Sequence, residues 1–125
     1  MDSLIKKLET VEKGSRLLDI EILREINPEY KNMDVESFAK GWLFGKGNHP
    51  IKVPSYTTSI DAAITLIPAA LYNRAYFELC KPPMAGFRKS DMAILYYEAA
   101  TPALAICVAA LKARTAEVEL GLRNY

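Results

Sequence analysis

The sequence predicts an α+β fold, a single domain over residues 1–125 with a small antiparallel sheet, at least a hairpin, packed between helices and a long C-terminal helix in the core. Three observations carry this. The chain is apolar without interruption from Ala103 to Leu111, behind a Thr101-Pro102 start. Between 71 and 99 two stretches carry aromatic and aliphatic residues, the first in period-two alternation, the signature of strands. Upstream, apolar residues recur at helical spacing.

Leu4, Ile5, Leu8 and Val11 mark a first amphipathic helix over 3–13, with Asp2 or Ser3 to cap it and Gly14 to end it. A second runs from about Leu17 to Ile26, presents Leu18, Ile22, Leu23 and Ile26, and stops at Asn27-Pro28 because a residue before proline is pushed out of the α region. Val35, Phe38 and Trp42, spaced i, i+3, i+7, suggest a helical turn after Asp34. Residues 41–56 hold three glycines and two prolines and are expected to form an irregular loop. Thr57, Thr58 and Ser59 offer hydroxyl caps for a two-turn helix that ends near Ile67-Pro68.

The alternation over Leu71–Cys80 sets Leu71, Ala75, Phe77 and Leu79 on one face and Tyr72, Arg74, Tyr76 and Glu78 on the other. A second strand is expected over Asp91–Ala99. The intervening Lys81-Pro82-Pro83-Met84-Ala85-Gly86 has turn chemistry, so the two strands should pair as a hairpin. Thr101 then caps the last helix, Pro102 takes the first helical position where its missing N–H costs nothing, and Gly121 terminates it.

Composition narrows the functions available. With 16 Lys and Arg against 15 Asp and Glu, the formal charge is +1, which argues against extended nucleic acid as a partner but leaves room for a local anion site. No apolar run reaches the roughly 18–20 residues that span a bilayer, so no membrane partner is expected. Cys80 and Cys107 both sit in apolar stretches and read as small buried hydrophobes. A disulfide framework or a zinc site needs more cysteines or histidines than these two and His49. The cytoplasm is the expected compartment.

Two segments are familiar as a pair. Tyr56-Thr57-Thr58-Ser59-Ile60-Asp61-Ala62-Ala63 with Leu66-Ile67-Pro68 resembles the middle of the phage ABA sandwich domain family, and Ala99 through Arg114 resembles that family's C-terminal signature. Leu18-Asp19-Ile20-Glu21-Ile22 is similar to its early acidic helix. After Pro68 the chain has Ala69-Ala70-Leu71-Tyr72 where the family pattern has a glycine and a tryptophan. The resemblance implies a phage or prophage product with helices around a small antiparallel sheet. It implies no catalytic residues, because the family carries none that are established.

The residues themselves point the same way. No serine or cysteine lies in a Gly-x-Ser-x-Gly elbow. Gly41 through Gly47 has neither the spacing of a phosphate loop nor a Ser or Thr after Lys46 to hold magnesium, although Lys46 among glycines suits a loose anion-binding turn. Glu78 and Glu98 could face each other on the hairpin, but lone acid pairs are usually solvated. Tyr72, Arg74 and Tyr76 are expected to project together from one strand, where aromatic rings beside a guanidinium can stack a base and pair a phosphate. Arg88 beyond the turn could add charge. The opposing possibility is that these tyrosines pack against the first helices and Arg74 snorkels.

The expected protein is therefore a phage or prophage accessory protein of the host cytoplasm that is not an enzyme and works by binding. It would hold a nucleotide-like anionic signal of a host defence, or dock on a host protein, with Tyr72, Arg74, Tyr76, Arg88 and Lys46 as the ligand residues and no catalytic residue, metal or cofactor. The alternative is a structural or protein–protein interaction module. Exposed aromatics on so small a domain also suggest a homo-oligomer.

Overall fold

A computed structural model of the chain describes residues 2–27, 30, 34–37, 42–44, 50–78, 82–88 and 94–115. Helices α1 (Asp2–Thr10) and α2 (Arg16–Ile26) come first, followed by strands β1 (Asp34–Ser37), β2 (Trp42–Phe44) and β3 (Pro50–Lys52). The short helix α3 (Ile60–Ile64) and a 3₁₀ segment (Ala69–Arg74) lead into β4 (Ala75–Glu78), β5 (Met84–Arg88) and β6 (Ile94–Glu98), and α4 (Pro102–Thr115) closes the described chain. The described residues form two antiparallel sheets, ordered β1-β2-β3 and β4-β5-β6. The α+β class and the core position of the C-terminal helix are as expected.

Helix α4 organises the rest. Thr101 Oγ1 accepts the Leu104 N–H at 3.2 Å, and every residue from Ala103 to Leu111 is buried. A helix that is apolar all round has no solvent side and must be enclosed. The second sheet covers one side through Ala85 and Phe87 of β5, and α1 and α3 pack elsewhere along it. Its alanines let these elements come close. Arg114 Nε donates to the Leu66 carbonyl at 3.0 Å and ties the end of α4 to the turn after α3.

Four expectations need correction. The turn after Asp34 is a strand: Val35 pairs with Leu43, and the apolar spacing that suggested a helix loses to the cross-strand hydrogen bonds. The 41–56 loop contains β2 and β3, with Pro50 at the first position of an edge strand, where a missing N–H is tolerated. The predicted strand from Leu71 starts only at Ala75. Before it, Leu71 N–H bonds to the Pro68 carbonyl at 2.8 Å and the fully buried Leu71 side chain anchors a 3₁₀ segment. Finally, Met84, Ala85 and Gly86 belong to a central strand rather than to a turn, so β4 and β6 do not pair as a hairpin but flank β5.

Gly86 makes that central strand possible. A Cβ there would lie 1.8 Å from the Leu95 carbonyl oxygen, so any larger residue forces β5 and β6 apart. Gly14 has the same role near the helices: its Cβ would meet the Thr57 carbonyl at 2.2 Å.

That second close approach belongs to a buried polar joint between α2 and the segment before α3. Asp19 is fully buried. Its Oδ1 accepts the Thr57 N–H at 2.7 Å and the Thr57 hydroxyl at 2.6 Å, and its Oδ2 lies 2.7 Å from Arg16 Nη1. Arg16 also donates to Ser55 Oγ at 2.8 Å and to the Val53 carbonyl. Thr57 Oγ1 in turn accepts the Ser15 N–H at 2.9 Å. A buried charge is tolerable only when paired and hydrogen-bonded in this way.

Cys107, in the middle of α4, is a free, buried thiol that donates to the Tyr56 carbonyl at 3.1 Å. Desolvation, with a smaller contribution from the Asp19 charge, pushes its ionisation far above the usual thiol range. The thiolate is the reactive form. Native protein treated with a thiol reagent should therefore leave Cys107 unlabelled in mass-spectrometric peptide maps until denaturant is added; prompt native labelling there would contradict this burial. Phe38, Lys46, His49, Cys80 and Gly121 lie outside the described residues.

Candidate binding face

The pleat of the second sheet sorts its residues. Ala85 and Phe87 point into the core, with Ala75, Phe77, Leu95 and Tyr97 partly buried on the same side. The other side carries Tyr76 and Glu78 on β4, Met84, Gly86 and Arg88 on β5, and Tyr96 and Glu98 on β6. Among the described residues this face is uncovered, with Tyr76 45% and Tyr96 40% exposed.

Register arranges these residues in rows. Tyr76 and Tyr96 both pair with Gly86, one from each side. With no side chain between them the rings reach across β5 and meet edge to face, centroids 5.7 Å apart and planes at 80°. Such a pair is favoured by about 0.5–1.5 kcal/mol beyond its burial and holds both rings in place. Glu78 and Glu98 both pair with Met84, two residues away along the strands, so they do not oppose each other directly. Arg88 lies two residues beyond Gly86 in the opposite direction. At about 3.4 Å per residue, the acidic row and Arg88 are about 14 Å apart with the tyrosines midway.

The electrostatics follow this order. The Tyr96 phenol is pushed above its ordinary ionisation range by desolvation, by Tyr76 beside it and by the Glu78 charge. Near neutral pH it is therefore a neutral phenol in the middle row of the face.

The residues expected from sequence are only partly brought together. Tyr76 and Arg88 do share the face. Tyr72 is exposed but sits on the 3₁₀ segment, not on the strand, so it does not alternate with Tyr76. Arg74 ends that segment and donates through Nε to the Arg88 carbonyl at 2.7 Å, while its Nη2 is buried without a hydrogen-bond partner. It is a strap between the 3₁₀ segment and the end of β5. Lys46 is outside the described residues. The tyrosine that completes the site is Tyr96, and its phase within the second predicted strand was the available signal.

Elsewhere the surface is more self-satisfied. A groove of about 410 Å³ between α1, α4 and β6 is lined by Ile5, Tyr97 and Lys112, but Lys112 already lies 4.5 Å over the Tyr97 ring and 3.5 Å from Glu9. A second groove of about 380 Å³ between α1 and α2 is crossed by the Lys7–Glu21 ion pair at 3.1 Å. Among the described residues, no three His, Cys, Asp or Glu gather as a metal site would require, and no helix is long and apolar enough to cross a membrane.

No protein-family model matches the chain, and no curated protein or solved structure does so either.

Proposed function

We propose that this protein acts by binding, and that the Tyr76–Tyr96 row with Arg88 receives a planar ring joined to an anionic group, the chemistry of a nucleotide. The supporting observation is the exposed pair of edge-to-face rings that meet across Gly86, with a guanidinium two residues further along the same face. An exposed ring face stacks a base whatever its identity, and a guanidinium pairs with phosphate through two parallel hydrogen bonds. The acidic row at the other end suits the amino groups of a base. The resemblance of the middle and C-terminal segments to the phage ABA sandwich domain family is the ground for a biological setting: a phage or prophage accessory protein that withdraws a nucleotide signal from a host defence. Stoichiometric capture needs no catalytic set.

Calorimetry against linear and cyclic nucleotides, with chromatography of the recovered ligand, tests this reading. One member of the panel should bind and be recovered unchanged. Arg88→Ala keeps the carbonyl that receives Arg74, so the fold should hold while binding weakens about ten- to a hundredfold, the equivalent of about 1.5–3 kcal/mol for a hydrogen-bonded charge. Tyr96→Ala should weaken it by a similar factor. Failure of the whole panel to bind would turn the reading towards a protein partner, and a converted ligand would make the protein an enzyme.

A further inference from the structure

The outer face of the second sheet has a polarity that a single nucleotide does not exhaust. Along the strands it runs from carboxylates (Glu78, Glu98) through rings (Tyr76, Tyr96) to a guanidinium (Arg88). A two-fold axis lying in this face, perpendicular to the strands and passing through the tyrosine row, reverses that order. Two copies related by it bring rings onto rings and set each acidic row against Arg88 of the other copy. We propose that this face is a self-complementary docking surface for a second copy of the same chain.

Charge complementarity is what selects this occupant. A face of one sign would repel its own copy, and an apolar face would accept many partners. Here the two ends carry opposite signs, and the tyrosines between them are the residues most enriched at interface centres. The symmetric arrangement also satisfies both charged ends at once, as an isologous contact requires.

Size sets the strength. Three strands about 4.8 Å apart and four or five residues long cover at most roughly 14 by 17 Å, well short of the about 800 Å² per partner of a stable complex. The dimer is therefore a weak one that forms on concentration and dissolves on dilution, and added salt weakens it further. It goes beyond the ligand reading and does not depend on it, although a second copy and a nucleotide on this face exclude each other.

The test uses ligand-free protein and charge reversal at exposed positions. Sedimentation equilibrium from micromolar to millimolar concentration should show a monomer–dimer equilibrium for the unaltered chain. Arg88→Glu alone should weaken it about tenfold or more, as should Glu78→Lys with Glu98→Lys, because each puts like charges opposite each other. Circular dichroism checks that both variants remain folded. An equal mixture of the two should regain the dimer, since every reversed residue then meets its opposite. A mixture that stays monomeric, or a dimer unchanged by either reversal, overturns the proposal. Neither result affects the calorimetric test, which reads ligand on dilute monomer.

Discussion

Asp19→Ala is expected to be the most damaging single substitution in this protein, destabilising it by about 3–5 kcal/mol, the usual cost of breaking a buried charge pair from one side. The carboxylate is fully buried and receives the Thr57 N–H, the Thr57 hydroxyl and Arg16 Nη1. Its removal leaves the buried Thr57 N–H without its acceptor, leaves the Thr57 hydroxyl only the Ser15 carbonyl at 3.1 Å, and takes the Asp19 charge from a guanidinium that is only 20% exposed. Total stability of a domain this size is about 5–15 kcal/mol, so the loss is a large fraction of it. Asp19→Asn separates the components, since an amide oxygen can still accept from Thr57 but supplies no charge to Arg16. Urea denaturation should rank the chains wild type, Asn, Ala. An alanine variant within 1 kcal/mol of wild type would show that this joint does not hold α2 to the segment before α3.

Leu111→Ala should follow, at about 2–5 kcal/mol, and towards the upper part of that range. The cost of a truncation depends on how far the surroundings can collapse into the space left. Leu111 has Ala109, Ala110 and Ala113 near it on α4, and small side chains have little to move into a void. Leu104, also fully buried on α4, should behave in the same way. Leu17, 48% exposed, is the control: its alanine variant should stay within about 0.5 kcal/mol of wild type. Equal melting of all three variants would remove α4 from the centre of the fold.

The two buried groups differ in how visible they are in the sequence. Leu111 ends a run of nine apolar residues behind a capped start, a pattern that survives almost any tertiary context. Asp19 does not announce itself. An acidic residue on an amphipathic helix normally faces water, and nothing local says that a threonine 38 positions later will cover it. The same reason hid β5. Met84, Ala85 and Gly86 follow two prolines and carry almost no strand propensity, yet they are central because neighbours on both sides supply their hydrogen bonds. The alternation of Ala85 and Phe87 with Gly86 and Arg88 was there to be found, but the glycine masked it. β2 and β3 were hidden likewise by glycines and prolines.

Half of the candidate face was legible for a related reason. Alternation alone puts Tyr76 outward, and that part of the predicted strand is a strand. It also placed Tyr72 and Arg74 outward, on the assumption that the strand began at Leu71. Burial of Leu71 and the Pro68 hydrogen bond end the alternation at Ala75. Which strands are neighbours decides which tyrosines meet, and only pairing through Gly86 joins Tyr76 to Tyr96.

The central place of α4 also governs how the molecule is made. The ribosome delivers residues in order, and α4 comes last of the described elements, while α1, α3, β5 and β6 all rest on it. At roughly 5–20 residues per second, Leu4, Ala63 and Phe87 emerge seconds before the surface that shelters them exists. Nascent chains of this protein therefore present greasy, unfinished intermediates to chaperones and proteases until α4 arrives.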